Sequence, residues 1–123
     1  MSKVVAVIGA SSNRNKFGNR AVRAFLQQGY TVVPINPHEA EVEGLKTYKS
    51  VLDVPGTIDM ASVYVPPEIG EQVIGAIAQK GIAEVWLNPG AESDELIARA
   101  KALNIRPIVA CSIVAIGANP YSL

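Results

Sequence analysis

Short apolar runs rich in β-branched residues alternate along the chain with segments whose apolar residues recur at helical spacing. The first run, Val4–Ile8, is apolar at every position, as expected of a strand that is buried on both faces of a sheet. We predict strands at residues 4–8, 31–35, 58–65, 82–87 and 105–110. Parallel strands joined by helices form a sheet covered on both faces, so the chain is predicted to be α/β with a doubly wound parallel five-stranded sheet.

Capping residues and a proline delimit the predicted helices and strands. Ser93 precedes an apolar helical stripe and is expected to cap that helix, and Gly81 suits the end of the helix before it. Pro34 cannot donate to a strand ladder, so we expect the second strand to end there or to lie at a sheet edge. Residues 36–57 show the least regular pattern, with Ser50 as the expected cap of a short helical turn.

Size and composition exclude several classes of protein. A chain of 123 residues is near the usual domain size, so we predict a single domain over residues 1–123. Hydrophobic residues make up 49% and charged residues 18%, which excludes a disordered or collagen-like chain. The 11 basic and 11 acidic residues cancel, which argues against nucleic acid or a membrane surface as a partner. The sequence opens without a leader, and Cys111 as the only cysteine excludes an internal disulfide, so we expect a cytoplasmic protein.

Four turns rich in Gly, Pro, Asn or Ser follow predicted strands. In a doubly wound sheet, ligands bind outside the carboxyl ends of the strands, at the point where the strand order reverses. We therefore expect the binding site at residues 9–18, 36–38, 65–67 and 88–90. Tyr64 lies just before one of these turns, where it would pack either beside an adenine or in the core.

The loop from Gly9 to Gly18 has the composition of a phosphate site. Gly9 permits a sharp turn or a close approach to a ligand, and the helix after Gly18 offers unpaired N–H groups at a positive dipole end. The loop adds the polar side chains of Ser11, Ser12, Arg14 and Lys16. The first acid of the chain is Glu39, so we expect a locally basic site for a ligand with several phosphates. The alternative is an ordinary strand-to-helix turn with solvated bases.

Two common nucleotide motifs are missing. Ser11 and Arg14 stand where a dinucleotide fingerprint has its second and third glycines, and no acid ends the second strand, which disfavours NAD. Asn36 and His38 leave that position free of acids, which suits a ligand with an extra phosphate on its ribose. The Walker pattern does not occur, which argues against ATP hydrolysis.

No group of residues predicts catalysis or metal binding. His38 is the only histidine, and no catalytic triad can be assembled around it. A metal site with two histidines is excluded for the same reason. Cys111 follows the fifth strand, where we interpret it as a small buried apolar residue, the alternative being a thiol that faces the site. Trp86, in an apolar strand, is interpreted as core.

The order and spacing of several motifs are similar to those of a known family. The motifs are VVAVIGAS at residues 4–11, GYTVVPINP at 29–37, EGLKTY at 43–48, YVPP at 64–67 and EVWLNPG at 84–90. With them the chain resembles the CoA-binding domain at the start of succinyl-CoA synthetase alpha subunits, and more closely the stand-alone bacterial and archaeal relatives of that domain. The resemblance covers nearly the whole chain and implies a Rossmann-like CoA-binding domain.

The resemblance also implies roles for individual residues. It implies that CoA phosphates are held by Gly9, Ala10, Ser11, Ser12, Asn13, Arg14 and Lys16. It implies that the adenosine end contacts Asn36, Pro37 and His38, that the adenine is bordered by Tyr64, Val65 and Pro66, and that the pantetheine lies towards Asn88, Pro89 and Gly90. The sequence departs from the family pattern in two ways. The ligase subunits continue into a second domain with a phosphorylated histidine, whereas this sequence ends at Leu123. Some relatives have a Cys-Met-Lys ending, where this sequence has Cys-Ser-Ile-Val at residues 111–114.

These observations together predict a small non-catalytic protein that binds CoA or acyl-CoA. One alternative is an NAD(P)-binding redox sensor or regulator. Another is an accessory subunit that docks onto an acyl-CoA enzyme, for which the apolar tail at residues 113–116 would either contact the partner or close the core.

Overall fold

The five predicted strands form one parallel sheet in the computed structural model, which describes residues 2–123. In chain order the strands are β1 (Val4–Ile8), β2 (Thr31–Ile35), β3 (Glu41–Val42), β4 (Leu45–Lys46), β5 (Met60–Val63), β6 (Glu84–Leu87) and β7 (Arg106–Val109). The order across the large sheet is β2-β1-β5-β6-β7. The strand order therefore reverses direction between β1 and β5, which is where a doubly wound sheet opens a crevice for a ligand.

Four helices and two single turns of 3₁₀-helix connect and cover the strands. They are α1 (Phe17–Gln27), α2 (Pro67–Lys80), α3 (Asp94–Ala102) and α4 (Ser112–Ala115), with 3₁₀ turns at Val51–Asp53 and Pro120–Ser122. The predicted caps are confirmed: Ser50 Oγ accepts from the Leu52 amide, and Ser93 Oγ accepts from the Leu96 amide. Gly81 ends α2 in the left-handed conformation, with φ at 85°.

Pro34 lies in an edge strand, as one of the two sequence interpretations required. β2 is the outermost strand on its side of the sheet, and Pro34 aligns with Val7 of β1. The outer side of β2 is covered by Tyr48, whose N–H donates to the Pro34 carbonyl at 3.0 Å and whose carbonyl accepts from Asn36 N–H at 3.0 Å. These bonds bring residues 36–48 back against the carboxyl end of the sheet.

Both faces of the sheet are packed: successive residues of a strand point to opposite faces, and helices cover each face. On one face α2 and α3 cover a cluster that includes Ile74 and Ile77. On the other face α1 packs Val22 and Phe25 against the sheet, and Ile113 of α4 is buried in the same cluster. The apolar tail was expected either to contact a partner or to close the core, and its Ile113 closes the core.

The structure differs from the sequence prediction in three places. The third main strand is shorter than predicted, and residues 41–46 form an unpredicted two-stranded hairpin of β3 and β4. Trp86 is only half-buried rather than fully in the core, and its Nε1–H donates to Glu84 Oε2 at 3.0 Å. Within residues 2–123, none of the helices combines the length and apolar character that crossing a membrane requires.

Candidate functional site

A cavity of about 770 Å³ opens at the carboxyl ends of β1 and β5. This volume lies within the range of small-molecule sites, roughly 300–1,000 Å³. Its lining includes most of the predicted site residues, namely Gly9, Ala10, Ser11, Lys16, Asn36, Tyr64, Val65, Pro66, Asn88, Pro89 and Gly90. Five predicted residues do not line it: Ser12, Asn13, Arg14, Pro37 and His38. Of the other lining residues, Phe17 and Gly18 fall within the predicted stretch 9–18, whereas Ala91, Cys111, Val114, Pro120 and Tyr121 lie outside the predicted stretches.

Two glycines allow the first loop, residues 9–18, to approach the sheet closely. Gly9 has φ at 91°, and a Cβ there would lie 3.0 Å from a methyl carbon of Val65. A Cβ on Gly18 would lie 2.1 Å from the Gly9 carbonyl oxygen. The first turn of α1 is therefore seated directly against the end of β1, because neither position carries a side chain.

The N-terminus of α1 presents unpaired donors to the cavity. Within the described residues, the amide N–H groups of Phe17 and Gly18 have no acceptor, and both residues line the cavity. The first turn contains no acid, and Lys16 at the cap position makes no side-chain capping bond. Unpaired N–H groups and the positive end of a helix dipole favour an anion at this position.

Side chains within and beside the first loop fix its shape. Ser11 Oγ accepts from the Asn13 amide, and Asn13 Oδ1 accepts from the Asn15 amide, both at 3.0 Å. Asn19, fully buried in α1, donates from Nδ2 to the Ser11 carbonyl at 2.8 Å and accepts from Arg23 Nε at 2.7 Å. Asn13 therefore shapes the loop rather than lining the cavity. Sequence reasoning missed Asn19, whose only signal was that it is a polar residue two positions before the apolar helical stripe.

The expectation of a strongly basic site is wrong. Of the bases before residue 38, only Lys16 lines the cavity. Arg14 points to solvent, and its Nε lies 3.5 Å from Glu43 Oε2. Lys3 precedes β1 at the opposite end of the sheet. The prediction failed because it counted charges along the chain, whereas the fold returns the carboxylates of residues 39 and 43 to the first loop.

Asn36 joins the end of β2 to the first loop. Its Nδ2 donates to the Ala10 carbonyl at 2.7 Å, and its Oδ1 accepts from the amides of His38 at 2.7 Å and Glu39 at 3.2 Å. A weaker bond runs from Nδ2 to Glu39 Oε2 at 3.3 Å. The Asn36 side chain thus has no hydrogen-bonding capacity left for a ligand and acts by positioning both loops.

The end of β2 is not free of acids, contrary to the sequence prediction. The Glu39 carboxylate accepts from the Ser12 amide at 2.9 Å and also from the Ser12 hydroxyl. These bonds, with Lys16 nearby, hold the pKa of Glu39 below its usual range. Pro37 and His38, which precede it, are exposed and lie outside the cavity lining. The case against NAD therefore loses the missing acid, one of its two supports, and keeps the missing glycines of the dinucleotide fingerprint.

A ring of buried hydrogen bonds, the polar ring, lies beneath the other side of the cavity. Asn88 Nδ2 donates to Ser62 Oγ at 2.9 Å, the Ser62 and Ser112 hydroxyls are 2.8 Å apart, and Ser112 Oγ lies 3.0 Å from Asn88 Oδ1. The donor and acceptor capacities are all satisfied when Ser62 donates to Ser112 and Ser112 donates to Asn88. Tyr64 OH, 2.9 Å from Ser112 Oγ, donates to the same serine.

The polar ring decides how two predicted site residues can act. Asn88 also donates to the Val63 carbonyl and accepts from the Ser112 amide, so its side chain is fully used within the protein. It can shape the cavity but has no group left for a ligand. Tyr64 lines the cavity, and burial raises the pKa of its hydroxyl above the ordinary value.

The C-terminal segment supplies a mostly apolar side of the cavity, the C-terminal wall, which consists of Cys111, Val114, Pro120 and Tyr121. Val114 is 59% exposed and Tyr121 is 83% exposed, so both flank the open mouth. Arg20 of α1 donates from Nη1 to the Pro120 carbonyl at 3.2 Å. Cys111 is half-buried on this wall, so of its two interpretations the structure supports the alternative, in which the residue faces the site.

The cavity therefore joins two different surfaces. One side presents helix N–H groups and Lys16, which suit a phosphate, and the other side is largely apolar. Within residues 2–123, no group of three or more His, Cys, Asp or Glu side chains is placed to hold a metal ion.

The doubly wound sheet, with a cavity at its point of reversal, defines an α/β domain of the Rossmann-like class. The chain belongs to the CoA-binding domain family, whose model matches residues 3–117. The family predicted from the sequence motifs is thus confirmed.

Similar proteins include subunits and chains of CoA ligases. The chain is 39% identical over 82 residues to the alpha subunit of ADP-forming acetate–CoA ligase II of Pyrococcus furiosus, covering 66% of this chain and 18% of that subunit. It is 43% identical over 95 residues to ADP-forming acetate–CoA ligase II of Archaeoglobus fulgidus, covering 76% of this chain and 14% of that protein. The chain thus spans less than a fifth of the length of these relatives.

A solved structure of similar size shares the fold. A conserved hypothetical protein from Pyrococcus furiosus is 33% identical, with a TM-score of 0.84, and the match covers 94% of this chain and 99% of that one. The match therefore spans nearly the full length of both chains.

Proposed function

We propose that this domain binds CoA or acyl-CoA in the cavity at the carboxyl ends of β1 and β5. The observation that carries the proposal is the pairing of the α1 N-terminus with an apolar wall across one cavity. CoA has matching chemistry, because its phosphates are anionic and its long pantetheine arm carries methylene and methyl groups that can pack on an apolar wall. Membership of the CoA-binding domain family supports the same ligand.

The phosphate end is assigned to the first loop. We propose that the pyrophosphate accepts hydrogen bonds from the amides of Phe17 and Gly18 and interacts with Lys16. The backbone of residues 9–11 completes this side of the cavity. Arg14 and His38 lie outside the lining, so we assign them no contact with the ligand inside the cavity.

The opposite side of the cavity is assigned to the less polar parts of CoA. Tyr64, Val65 and Pro66 follow β5, and Pro89 and Gly90 follow β6. Together with the C-terminal wall they provide the surface against which the adenine and the pantetheine arm would pack.

We propose that the domain holds its ligand without transforming it. Cys111 is the one thiol on the cavity lining, and the only histidine, His38, lies outside that lining, so the two do not form a nucleophile–base pair there. The names of two Pyrococcus relatives describe alpha subunits of ligases, so presentation of CoA to a protein partner is a compatible role for this domain.

Calorimetric titration of the purified protein with CoA, acetyl-CoA, NAD and NADP tests the proposal. We expect both CoA species to bind at least about tenfold more tightly than NAD, a difference of about 1.4 kcal/mol. Native mass spectrometry of freshly purified protein checks for a co-purifying ligand of the mass of CoA. Clear binding of NAD without binding of either CoA species would overturn the proposal.

A further inference from the structure

We propose that Glu39 is an internal anion that occupies the donors of Ser12 in the ligand-free protein, and that a ligand phosphate must displace it. Glu39 then determines how tightly the first loop binds phosphates. The inference rests on the proposed function, because it concerns the same phosphate side of the cavity.

The Glu39 carboxylate is held as a phosphate oxygen would be held in such a loop. It accepts from the amide of Ser12 at 2.9 Å, from the hydroxyl of the same serine, and from Asn36 Nδ2 at 3.3 Å. Backbone amides, hydroxyls and side-chain amides are also the donors with which proteins bind phosphate oxygens. Ser12 and Glu39 are not in the cavity lining, but Ser12 directly follows Ser11, which is, so the occupied donors belong to the loop that forms this side of the cavity.

The charge around the first loop changes when Glu39 is counted. Arg14 lies 3.5 Å from a Glu43 carboxylate oxygen, and Lys16 interacts electrostatically with Glu39. The other titratable side chain beside Glu39 in the chain is His38, which is exposed. Each cation of the loop is therefore opposed by a carboxylate in the ligand-free protein. An incoming phosphate must overcome both the occupied donors and this negative charge.

The contact is placed so that it can open. Ser12 is exposed, and Glu39 lies on the connection between β2 and the β3–β4 hairpin rather than in the core. Asn36 holds the backbone amide of Glu39 through its Oδ1 at 3.2 Å, so the carboxylate can swing away while the backbone keeps its place. Displacement then costs the hydrogen bonds to Ser12 without unfolding the loop.

The opposite role would be that Glu39 braces the first loop in its binding conformation. The two roles predict effects of opposite sign. If Glu39 competes with the ligand, removal of its charge increases the affinity for phosphates. If Glu39 instead stabilises the binding conformation of the loop, removal of its charge decreases that affinity.

The test compares Glu39→Gln with Glu41→Gln. Both substitutions remove one negative charge from nearby positions and keep the side-chain length, but Glu41 is exposed and has no hydrogen bond to the first loop among residues 2–123. In calorimetric titrations with CoA, and separately with inorganic pyrophosphate, we expect Glu39→Gln to bind about fivefold more tightly than the wild type. Glu41→Gln is expected to stay within about twofold of the wild type. Unchanged or weaker binding by Glu39→Gln would overturn the inference.

Nuclear magnetic resonance of the ligand-free protein gives an independent measurement. The Ser12 amide shift is expected to titrate in the wild type with a midpoint below 4.5, the usual value for the carboxyl, and to lose this titration in Glu39→Gln. A Ser12 amide that does not titrate would count against the contact itself.

The outcomes separate this inference from the proposed function. If the wild type binds no CoA but Glu39→Gln binds pyrophosphate more tightly, the CoA assignment fails and the role of Glu39 stands. If CoA binds equally to both proteins, the CoA assignment stands and the role of Glu39 fails. If neither protein binds CoA or pyrophosphate, both fail.

Discussion

Asn88 holds Ser112 through a single oxygen, since its Oδ1 accepts from the Ser112 amide at 2.8 Å and lies 3.0 Å from the Ser112 hydroxyl. Asn88 follows β6, and Ser112 is the first residue of α4. The asparagine thus caps a helix that is distant in sequence, and the position of the C-terminal wall depends on it. A residue predicted to contact the ligand instead determines where one side of the cavity lies.

Replacement of Asn88 by Ala is expected to lower the free energy of unfolding by about 1–3 kcal/mol, because it leaves buried donors without acceptors. The Ser112 amide and hydroxyl would lose their acceptor, Asn88 Oδ1. Ser62 Oγ and the Val63 carbonyl would lose their donor, Asn88 Nδ2. Urea unfolding followed by circular dichroism measures the change. The control is Asn15→Ala, because Asn15 is exposed and its side chain makes no hydrogen bond within residues 2–123. Equal stability of the two variants would contradict the importance of the polar ring.

Gly18→Ala is expected to destabilise the protein by about 1–3 kcal/mol, as overpacking commonly does. The added Cβ would lie 2.1 Å from the Gly9 carbonyl oxygen, so α1 would have to move away from β1. The same shift would displace the amides of Phe17 and Gly18, so CoA affinity is expected to fall as well. Thermal unfolding and calorimetry measure both effects.

Gly75→Ala is the matched control for that substitution. Gly75 is also in a helix, but a Cβ there would meet nothing within 4 Å. We expect it to stabilise the protein by about 0.5–1 kcal/mol, because Ala loses less conformational entropy in a helix than Gly. Destabilisation by Gly75→Ala that matched the effect at Gly18 would contradict the close approach of α1 to β1.

Lys16→Gln is expected to weaken CoA binding about five- to tenfold, roughly 1–1.4 kcal/mol, because Lys16 lines the phosphate side of the cavity. Arg14→Gln removes the same charge from the same loop, but Arg14 points to solvent beside Glu43. Its expected effect is about twofold or less. Calorimetric titration with CoA at one ionic strength compares the two. A larger loss in Arg14→Gln than in Lys16→Gln would mean that the ligand lies outside the cavity.

Tyr64 is expected to make the protein less stable at alkaline pH. Burial raises the pKa of the folded-state hydroxyl above its ordinary value of 10.0, so the unfolded chain releases this proton first. The contribution of Tyr64 is complete below pH 10 and decreases as the pH rises through the folded-state pKa. The free energy of unfolding of the wild type is therefore expected to fall more steeply above pH 10 than that of Tyr64→Phe. Parallel slopes for the two proteins would exclude this contribution.

The sheet was predictable from sequence because its signals are local. The run Val4–Ile8 is apolar throughout since β1 lies inside the sheet and is packed on both faces. Pro34 indicated a strand end or a sheet edge, and β2 is an edge strand. Caps such as Ser93 lie within three residues of the groups they satisfy. The small β3–β4 hairpin escaped prediction because each of its strands has only two residues, too few to show a period.

The sequence also determined where a site would lie, because parallel strands bring their carboxyl ends to one edge of the sheet and the motifs there indicated the family. Only the tertiary structure decided which groups face the cavity. The contacts of Ser12 with Glu39, of Asn88 with Ser112 and of Arg20 with Pro120 join residues 27, 24 and 100 positions apart. No local pattern encodes such pairs, since their formation depends on how the whole chain packs. For the same reason a basic stretch of sequence became a loop whose charges are opposed by carboxylates, and an apolar tail became one side of the cavity.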